Sequence, residues 1–287
     1  MTSSIVNQET PLLEYLLKNF PQWKKTRVKQ LLKFESVLVN GRVVTSHKHA
    51  LKTGDKIEFL DKKTVAKKRL ESALPFPLVY EDESLLVIDK PAGLLTMGTD
   101  EDKIHTAYYA LTEYVRAQSL KGKGRIFIVH RLDRDTSGLV VFAKKEEIKI
   151  KLQEEWKTAV KKYYAVVEGV PRKSSDTIES FLVEDNFRRV YSTGERSREA
   201  KHASTFYRVM NQSAAGFSLL DVTLITGRKN QIRVHLADIG HPVVGDQKYG
   251  ATQDPLGRLG LHAYYLSFKH PATGEIKTFT TPIPKNW

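Results

Sequence analysis

The chain contains no cysteine. That excludes a disulfide frame, thiolate-bound zinc and any reaction that depends on a cysteine nucleophile. The cysteine-dependent RNA pyrimidine methyltransferases and the Cys-x-x-Cys deaminases are removed together. No apolar run approaches the roughly 20 residues that cross a bilayer. The start, MTSSIVNQET, lacks the basic and apolar regions of a secretory signal. The expected compartment is the cytoplasm, and no membrane partner is expected. No P-loop and no strong internal repeat are present.

Positive charge is abundant, and it is unevenly placed. The net charge is +13 over 287 residues. Residues 1–70 hold 15 Lys/Arg against 6 Asp/Glu, a balance of +9, which leaves +4 for the other 217 residues. A basic segment ahead of a nearly balanced body predicts a polyanion-binding module joined to something else.

That segment has its own pattern. In TPLLEYLLKNF, Thr10 is a candidate N-cap with Pro11 at the first helical position. Leu12, Leu13, Leu16, Leu17 and Phe20 follow at helical spacing. A second helix is predicted over TRVKQLLKF. Val28, Leu31 and Leu32 form its buried side, with Lys29 and Lys33 on the other. VLVNGRVV carries the Asn40-Gly41 hairpin signal, and TGDKIEF a further strand. Two helices with a small hairpin sheet and a basic helix face resemble the alpha-L, or S4-like, RNA-binding module over residues 10–60. The resemblance makes Lys29 and Lys33 candidate RNA contacts. KFES stands where that module usually has a glycine turn. The basic stretch 61–74 reads as a linker.

From residue 75 to 287 strands dominate. LVYEDESLLVIDKPAG reads as strand, turn, strand; RIFIVH, GLVVFAKK, KKYYAVVEG and FSLLDVTLITG are further strands. EEIKIKLQEEW is a helix with Ile148, Leu152 and Trp156 on one side. NQIRVHLADIG is another, packed through Ile232, Leu236 and Ile239 and stopped by Gly240 and Pro242. Strands outnumber helices without a βαβ rhythm. The predicted class is α+β with a mixed, mostly antiparallel sheet.

Between two of these strands lies VHRLDRDTSG, residues 129–138. A turn there needs only Asp, Ser and Gly, yet two arginines and two acids are packed into it. LVYEDESLLVIDKPAG, HRLDRDTSGLVVFAK, KKYYAVVEG, TGRKNQIRVHLADIGHPVVGDQKYG and LGLHAYYLSFKHPATGE, in that order, resemble the RluA-type pseudouridine synthase family over residues 75–280. The resemblance implies that a uridine in RNA has its N-glycosidic bond broken, the uracil turned, and the base rejoined through ring carbon 5. No redox step is involved, so neither cofactor nor metal is expected.

The resemblance also implies roles. Asp133 is the essential carboxylate, acting either as a nucleophile at ribose carbon 1′ or as a base at carbon 2′. Arg233 pairs with it and keeps it ionised. Tyr163 stacks on the uracil; Tyr164 falls on the opposite face of the strand. Arg131 and Arg134 flank the carboxylate, with Arg131 either entering the space of a flipped base or balancing Asp135. Arg228 is a weaker candidate for the neighbourhood of Asp133 or for phosphate. The chain departs from the family at Asn230, where histidine is usual, and at Met97, near the place of another. His130, His202, His235 and His262 form no metal pattern. The expected partner is RNA, ribosomal ahead of transfer RNA, and the expected state is a monomer. Two other classes compete: a non-catalytic ribosome assembly factor, and a glycosidase using Asp133 and Asp135. The second suffers from placing both acids two residues apart in one tight loop.

Overall fold

A computed structural model describes residues 3–119, 122–194, 199–285 and 287, giving the backbone alone for residues 62 and 63. It divides into two units, Met1–Ala73 and Leu74–Trp287.

The first unit contains β1 (Ser3–Ile5), β2 (Thr10–Pro11), α1 (Leu12–Asn19), α2 (Lys25–Lys33), β3 (Val37–Val39), β4 (Arg42–Val43), β5 (Ala50–Leu51), β6 (Lys56–Phe59) and α3 (Lys62–Ser72). Four strands form an antiparallel sheet in the order β1-β6-β3-β4, and β2 pairs with β5. Leu12, Tyr15 and Leu16 of α1 and Val28 and Leu32 of α2 bury against Val37, Val39, Leu51 and Ile57. The helical spacing therefore marks the right face. The cap differs by one residue. Thr10 is drawn into pairing with Leu51, so Pro11 takes the cap position of α1. Asn40 and Gly41 both have positive φ, as the two-residue hairpin turn requires. Glu35, in KFES, also adopts a positive φ of 58°, and its carboxylate meets Arg69 at 3.1 Å. The stretch read as a linker is helical over Lys62–Ser72; Asp61 starts α3 by accepting the Thr64 N–H at 2.7 Å.

The second unit contains β7 (Leu78–Glu81), β8 (Leu85–Lys90), α4 (Ala107–Gln118), β9 (Phe127–Ile128), β10 (Ser137–Ala143), α5 (Glu146–Glu154), β11 (Val160–Glu168), β12 (Ser175–Glu184), β13 (Val190–Thr193), β14 (Lys201–Gln212), β15 (Phe217–Leu224), α6 (Gln231–Asp238), a 3₁₀ turn (Gln247–Tyr249), β16 (Leu261–Lys269) and β17 (Ile276–Thr280). Among the described residues these make one eleven-stranded sheet. Its main path is β13-β12-β14-β15-β11-β16-β10-β8-β7, with β9 on β10 and β17 on β16. This is the α+β, mostly antiparallel architecture expected. Within it β10 and β16 run parallel, through Ser137↔His262 and Gly138↔Ala263.

The core explains the strand reading. β10 is buried along its whole length, as its unbroken apolar run implies for a strand covered on both faces. Leu139 and Val141 pack with Leu85, Val87, Leu266 and Phe268, and with Ile148 and Leu152 of α5. Ile232 and Leu236 of α6 are buried, whereas Ile239 caps that helix and is exposed. Gly138 is required twice over. Its φ is 116°, and a Cβ there would lie 2.3 Å from the Ala263 carbonyl oxygen.

Candidate active site

The loop between β9 and β10 carries Asp133, and buried donors fix its course. Thr96 Oγ1 donates to the Leu132 carbonyl at 3.0 Å and accepts the Leu132 N–H at 3.3 Å. Lys90, fully buried, donates from Nζ to the carbonyls of Pro91 (3.0 Å), Leu94 (2.7 Å) and Arg134 (2.9 Å). Gly93 N–H adds a bond to the same Arg134 carbonyl. Burial lowers the Lys90 ammonium to about 8, against the pull of Asp135 and Asp133. Below the loop, Arg258 Nη2 donates to Ser137 Oγ at 2.6 Å. Ser137 bonds His262 Nδ1 at 2.7 Å, and His262 Nε2 bonds Thr281 at 2.8 Å. Burial, then Arg258, pushes His262 down to about 4, so this imidazole is neutral at pH 7.

Arg233 enters from the first turn of α6, a hundred residues along the chain. Its Nη1 lies 3.2 Å from Asp133 Oδ2. Its Nε and Nη2 donate to Asp246 Oδ2 and Oδ1 at 2.6 and 2.7 Å, a bidentate clamp. Asp246 is almost wholly buried, while about a third of the Asp133 side chain remains open. The guanidinium also rests over the Tyr249 ring, 5.0 Å from its centroid. Burial disfavours the Arg233 charge, but Asp246 and then Asp133 outweigh it, and its pKa is raised. Two of the five donors thus hold the arginine still, and a third is presented to the accessible carboxylate.

Tyr163 stands on β11, nearly buried. Burial first, and the Asp133 charge second, raise its phenol well above the ordinary value. It is a neutral hydroxyl at physiological pH and lies within electrostatic reach of Asp133. Tyr164 faces the other side and stacks on Tyr264 at 3.8 Å, as strand alternation requires. A cleft of about 370 Å³ opens beside Arg233, lined by Ala92, Gly93, Asp135, Gly245, Arg258 and Leu259. A cavity of similar size on β12–β14, at Glu179, Phe181 and His202, holds none of the paired groups.

The remaining sequence candidates are more dispersed. Arg131 and Arg134 are exposed beside Asp133. Asp135 approaches Arg134 at 3.7 Å, so the local ion pair involves that arginine. Arg228 is exposed and donates to the His202 carbonyl at 3.0 Å. Lys29 and Lys33 are exposed on α2 in the first unit. Asn230 occupies the N-cap position of α6 in a left-handed conformation, φ 53°, but its side chain makes no capping bond. Gln231 organises that end instead, accepting from Thr226 Oγ1 and Arg228 N–H and donating to Ser204 and Thr205. His130 accepts the Val141 N–H and stacks on Trp156; burial lowers it to about 3. Among the described residues no cluster of metal-ligating side chains occurs.

Sequence reasoning passed over Lys90, Asp246 and Tyr249. All three lie inside quoted motif blocks, DKPAG and GDQKYG, so a signal was present. It was a charged or aromatic residue beside glycine or proline, with nothing local to say what the side chain would face.

A carboxylate on a pinned loop, a clamped arginine and a buried phenol are thus brought within electrostatic reach of one another, and a cleft opens beside the arginine. The comparisons identify the family. Residues 84–238 match the model of RNA pseudouridylate synthase. The chain is 33% identical over 291 residues to an uncharacterized RNA pseudouridine synthase, YlyB, of Bacillus subtilis, covering 100% of this chain and 94% of that protein. It is 34% identical to the ribosomal large subunit pseudouridine synthase D of Nitrosomonas europaea, covering 94% and 80%. Among solved structures, human RNA pseudouridylate synthase domain containing 4 superposes with a TM-score of 0.59 at 26% identity, covering 78% of this chain and 93% of that one. The chain belongs to the RluA-type RNA pseudouridine synthases, and is an isomerase that converts uridine to pseudouridine in RNA.

Proposed function

We propose that this isomerase acts on large-subunit ribosomal RNA, with Asp133 as the carboxylate that engages the ribose, Arg233 as its partner and Tyr163 against the uracil. The observation that carries this reading is the Arg233 geometry: two nitrogens locked on buried Asp246, and a third 3.2 Å from accessible Asp133. A partly enclosed carboxylate needs a fixed cation to stay charged, and a clamped guanidinium supplies one with little reorganisation. The bond from C1′ to N1 breaks. The uracil turns, C5 joins C1′, the C5 proton leaves, and N1 gains a proton. Asp133 serves as nucleophile at C1′ or as base at C2′, and Tyr163 is a neutral phenol on the base side. Arg131, Arg134 and Arg228 are cationic contacts for the displaced nucleotide and its phosphates.

Residues 10–60 act as an S4-like RNA-binding module through the exposed Lys29 and Lys33, joined by residues 61–74 to a catalytic domain at 75–287. The excess positive charge of residues 1–70 and the likeness to the Nitrosomonas large-subunit enzyme support ribosomal RNA as the target. The test is Asp133→Asn, which keeps the side chain's shape and removes its charge. The variant is expected to fold, bind a large-subunit rRNA transcript, and form no detectable pseudouridine. Turnover close to that of the wild type overturns the assignment. Pseudouridine mapping in cells with and without the protein locates the target, and a lost site in transfer RNA would move the substrate there.

A further inference from the structure

The tip of the β12–β13 hairpin, residues 185–189, is held unusually firmly for an exposed turn. Asp185 and Arg189 close it through a 2.9 Å backbone bond from Asp185 N–H to the Arg189 carbonyl. Asp185 Oδ1 accepts the N–H groups of Phe187 (2.9 Å) and Arg189 (2.8 Å). Arg188 adopts φ 59°, a left-handed conformation uncommon for a long side chain. Its carbonyl receives both Lys229 Nζ and Lys248 Nζ at 3.3 Å. The tip is also joined to the reaction centre. Val190 N–H donates to Tyr249 Oη at 3.3 Å, and the Arg189 guanidinium lies 5.8 Å from the Tyr249 ring that supports Arg233.

On this fixed backbone Phe187 is 91% exposed, far beyond any other large apolar side chain among the described residues; Ile276 follows at 69%. A lone exposed apolar residue needs no explanation by itself. Here it stands among Arg188, Arg189, Lys229 and Lys248. Glu184 is paired with Lys229, the Asp185 carboxylate is turned onto the backbone, and Glu101 is the acid within electrostatic reach of Arg188. An aromatic face in a cationic rim, on a backbone that cannot fold it away, matches the chemistry of a base-stacking platform on a polyanion. A protein partner's apolar pocket would call for neighbouring apolar surface, and residues 185–189 hold no apolar side chain besides Phe187.

We propose that Phe187 stacks on an unpaired base of the substrate RNA beside the isomerised uridine, while the surrounding cations hold the adjoining phosphates. The inference rests on Asp133 marking the reaction centre, as proposed above. Stacking of this kind binds without taking part in bond making, so it acts on KM.

The full-length protein is assayed on a large-subunit rRNA transcript as wild type, Phe187→Leu and Phe187→Trp. Leucine keeps apolar bulk and loses the π face. It is expected to raise KM about tenfold with kcat little changed, and tryptophan to restore KM. In parallel, a short single-stranded RNA with 2-aminopurine next to a uridine reports stacking by fluorescence quenching. Quenching is expected with wild type and Phe187→Trp and lost with Phe187→Leu. Equal KM and equal quenching for leucine and phenylalanine overturn the proposal, as does a fall in kcat with KM unmoved. If the wild type does not isomerise the ribosomal transcript, the substrate assignment fails by itself. The fluorescence comparison then decides the stacking claim alone, loss of quenching supporting it and unchanged quenching refuting it.

Discussion

Two loops near the proposed reaction centre are anchored in different ways. The loop carrying Asp133 is pinned from beneath by buried side chains, Lys90 on the Arg134 carbonyl and Thr96 on Leu132. The hairpin tip carrying Phe187 is pinned from within, by its own Asp185 and by surface lysines on one carbonyl. In the first, the backbone is held by buried donors and the Asp133 side chain by Arg233. In the second, the backbone is constrained and the Phe187 side chain is left open. Chemistry needs the former, because a displaced reacting group loses rate steeply. Recognition is served by the latter, because a ready but open surface binds without costly rearrangement.

The sharpest way to break the contrast is to release the arginine facing Asp133 without touching the loop. Asp246→Asn keeps the outline of the clamp and removes its charge. Turnover is expected to fall roughly a hundredfold, with KM for the rRNA transcript changed far less, because misplacing one reacting partner by about 1 Å has that effect. Equal losses in both constants would make Asp246 an ordinary fold-stabilising residue.

Lys90→Met removes the buried anchor. It leaves three carbonyls short of a donor and is expected to destabilise the protein by about 2 kcal/mol at neutral pH. The pH dependence carries the diagnostic sign. The Lys90 pKa is lowered from 10.5 to about 8 in the folded state. Between those values the unfolded chain holds the extra proton, so wild-type stability relative to the variant rises as pH rises through that window. The full gain is about 3 kcal/mol. It is lost again as pH falls through 8. Urea unfolding of both proteins from pH 7 to 10.5 measures it, and a gap independent of pH would refute a buried ammonium.

The smallest effect is expected at the tip. Asp185→Ala frees two N–H groups that water can reach. The expected loss of stability is under about 1 kcal/mol, with KM raised a few-fold and kcat unchanged. A large fall in kcat would show that the tip shapes the reaction centre, and the contrast between the two loops would collapse.

The parts of the fold legible in sequence were those with a local signature. The buried run of β10, the Asn40-Gly41 turn and the helical stripes of α1 and α2 each announce their geometry within a few residues. The strands β12, β13 and β14 were missed, as was helix α4. β12 alternates only weakly between half-buried and exposed positions, and its register comes from pairing with β14 and β13 rather than from its own pattern. The meeting of Asp133 and Arg233 was legible only through the family resemblance, since their hundred-residue separation leaves no local trace. Lys90 shows the limit most clearly. In DKPAG it reads as a solvated charge at a strand end, yet it is fully buried, because its partners are carbonyls from two loops that only the closed sheet brings together.

With the roles proposed for Asp133 and Arg233, the clamp on Arg233 also sets a time at which activity can begin. Asp133 emerges from the ribosome a hundred residues before Arg233, and Asp246 follows 13 residues later. At roughly 5–20 residues per second, the loop is outside for some 5–25 seconds before its partner can be fixed. A nascent chain of this isomerase is therefore chemically silent, and an enzyme whose substrate is RNA is born among RNA without acting on it until Asp246 has emerged.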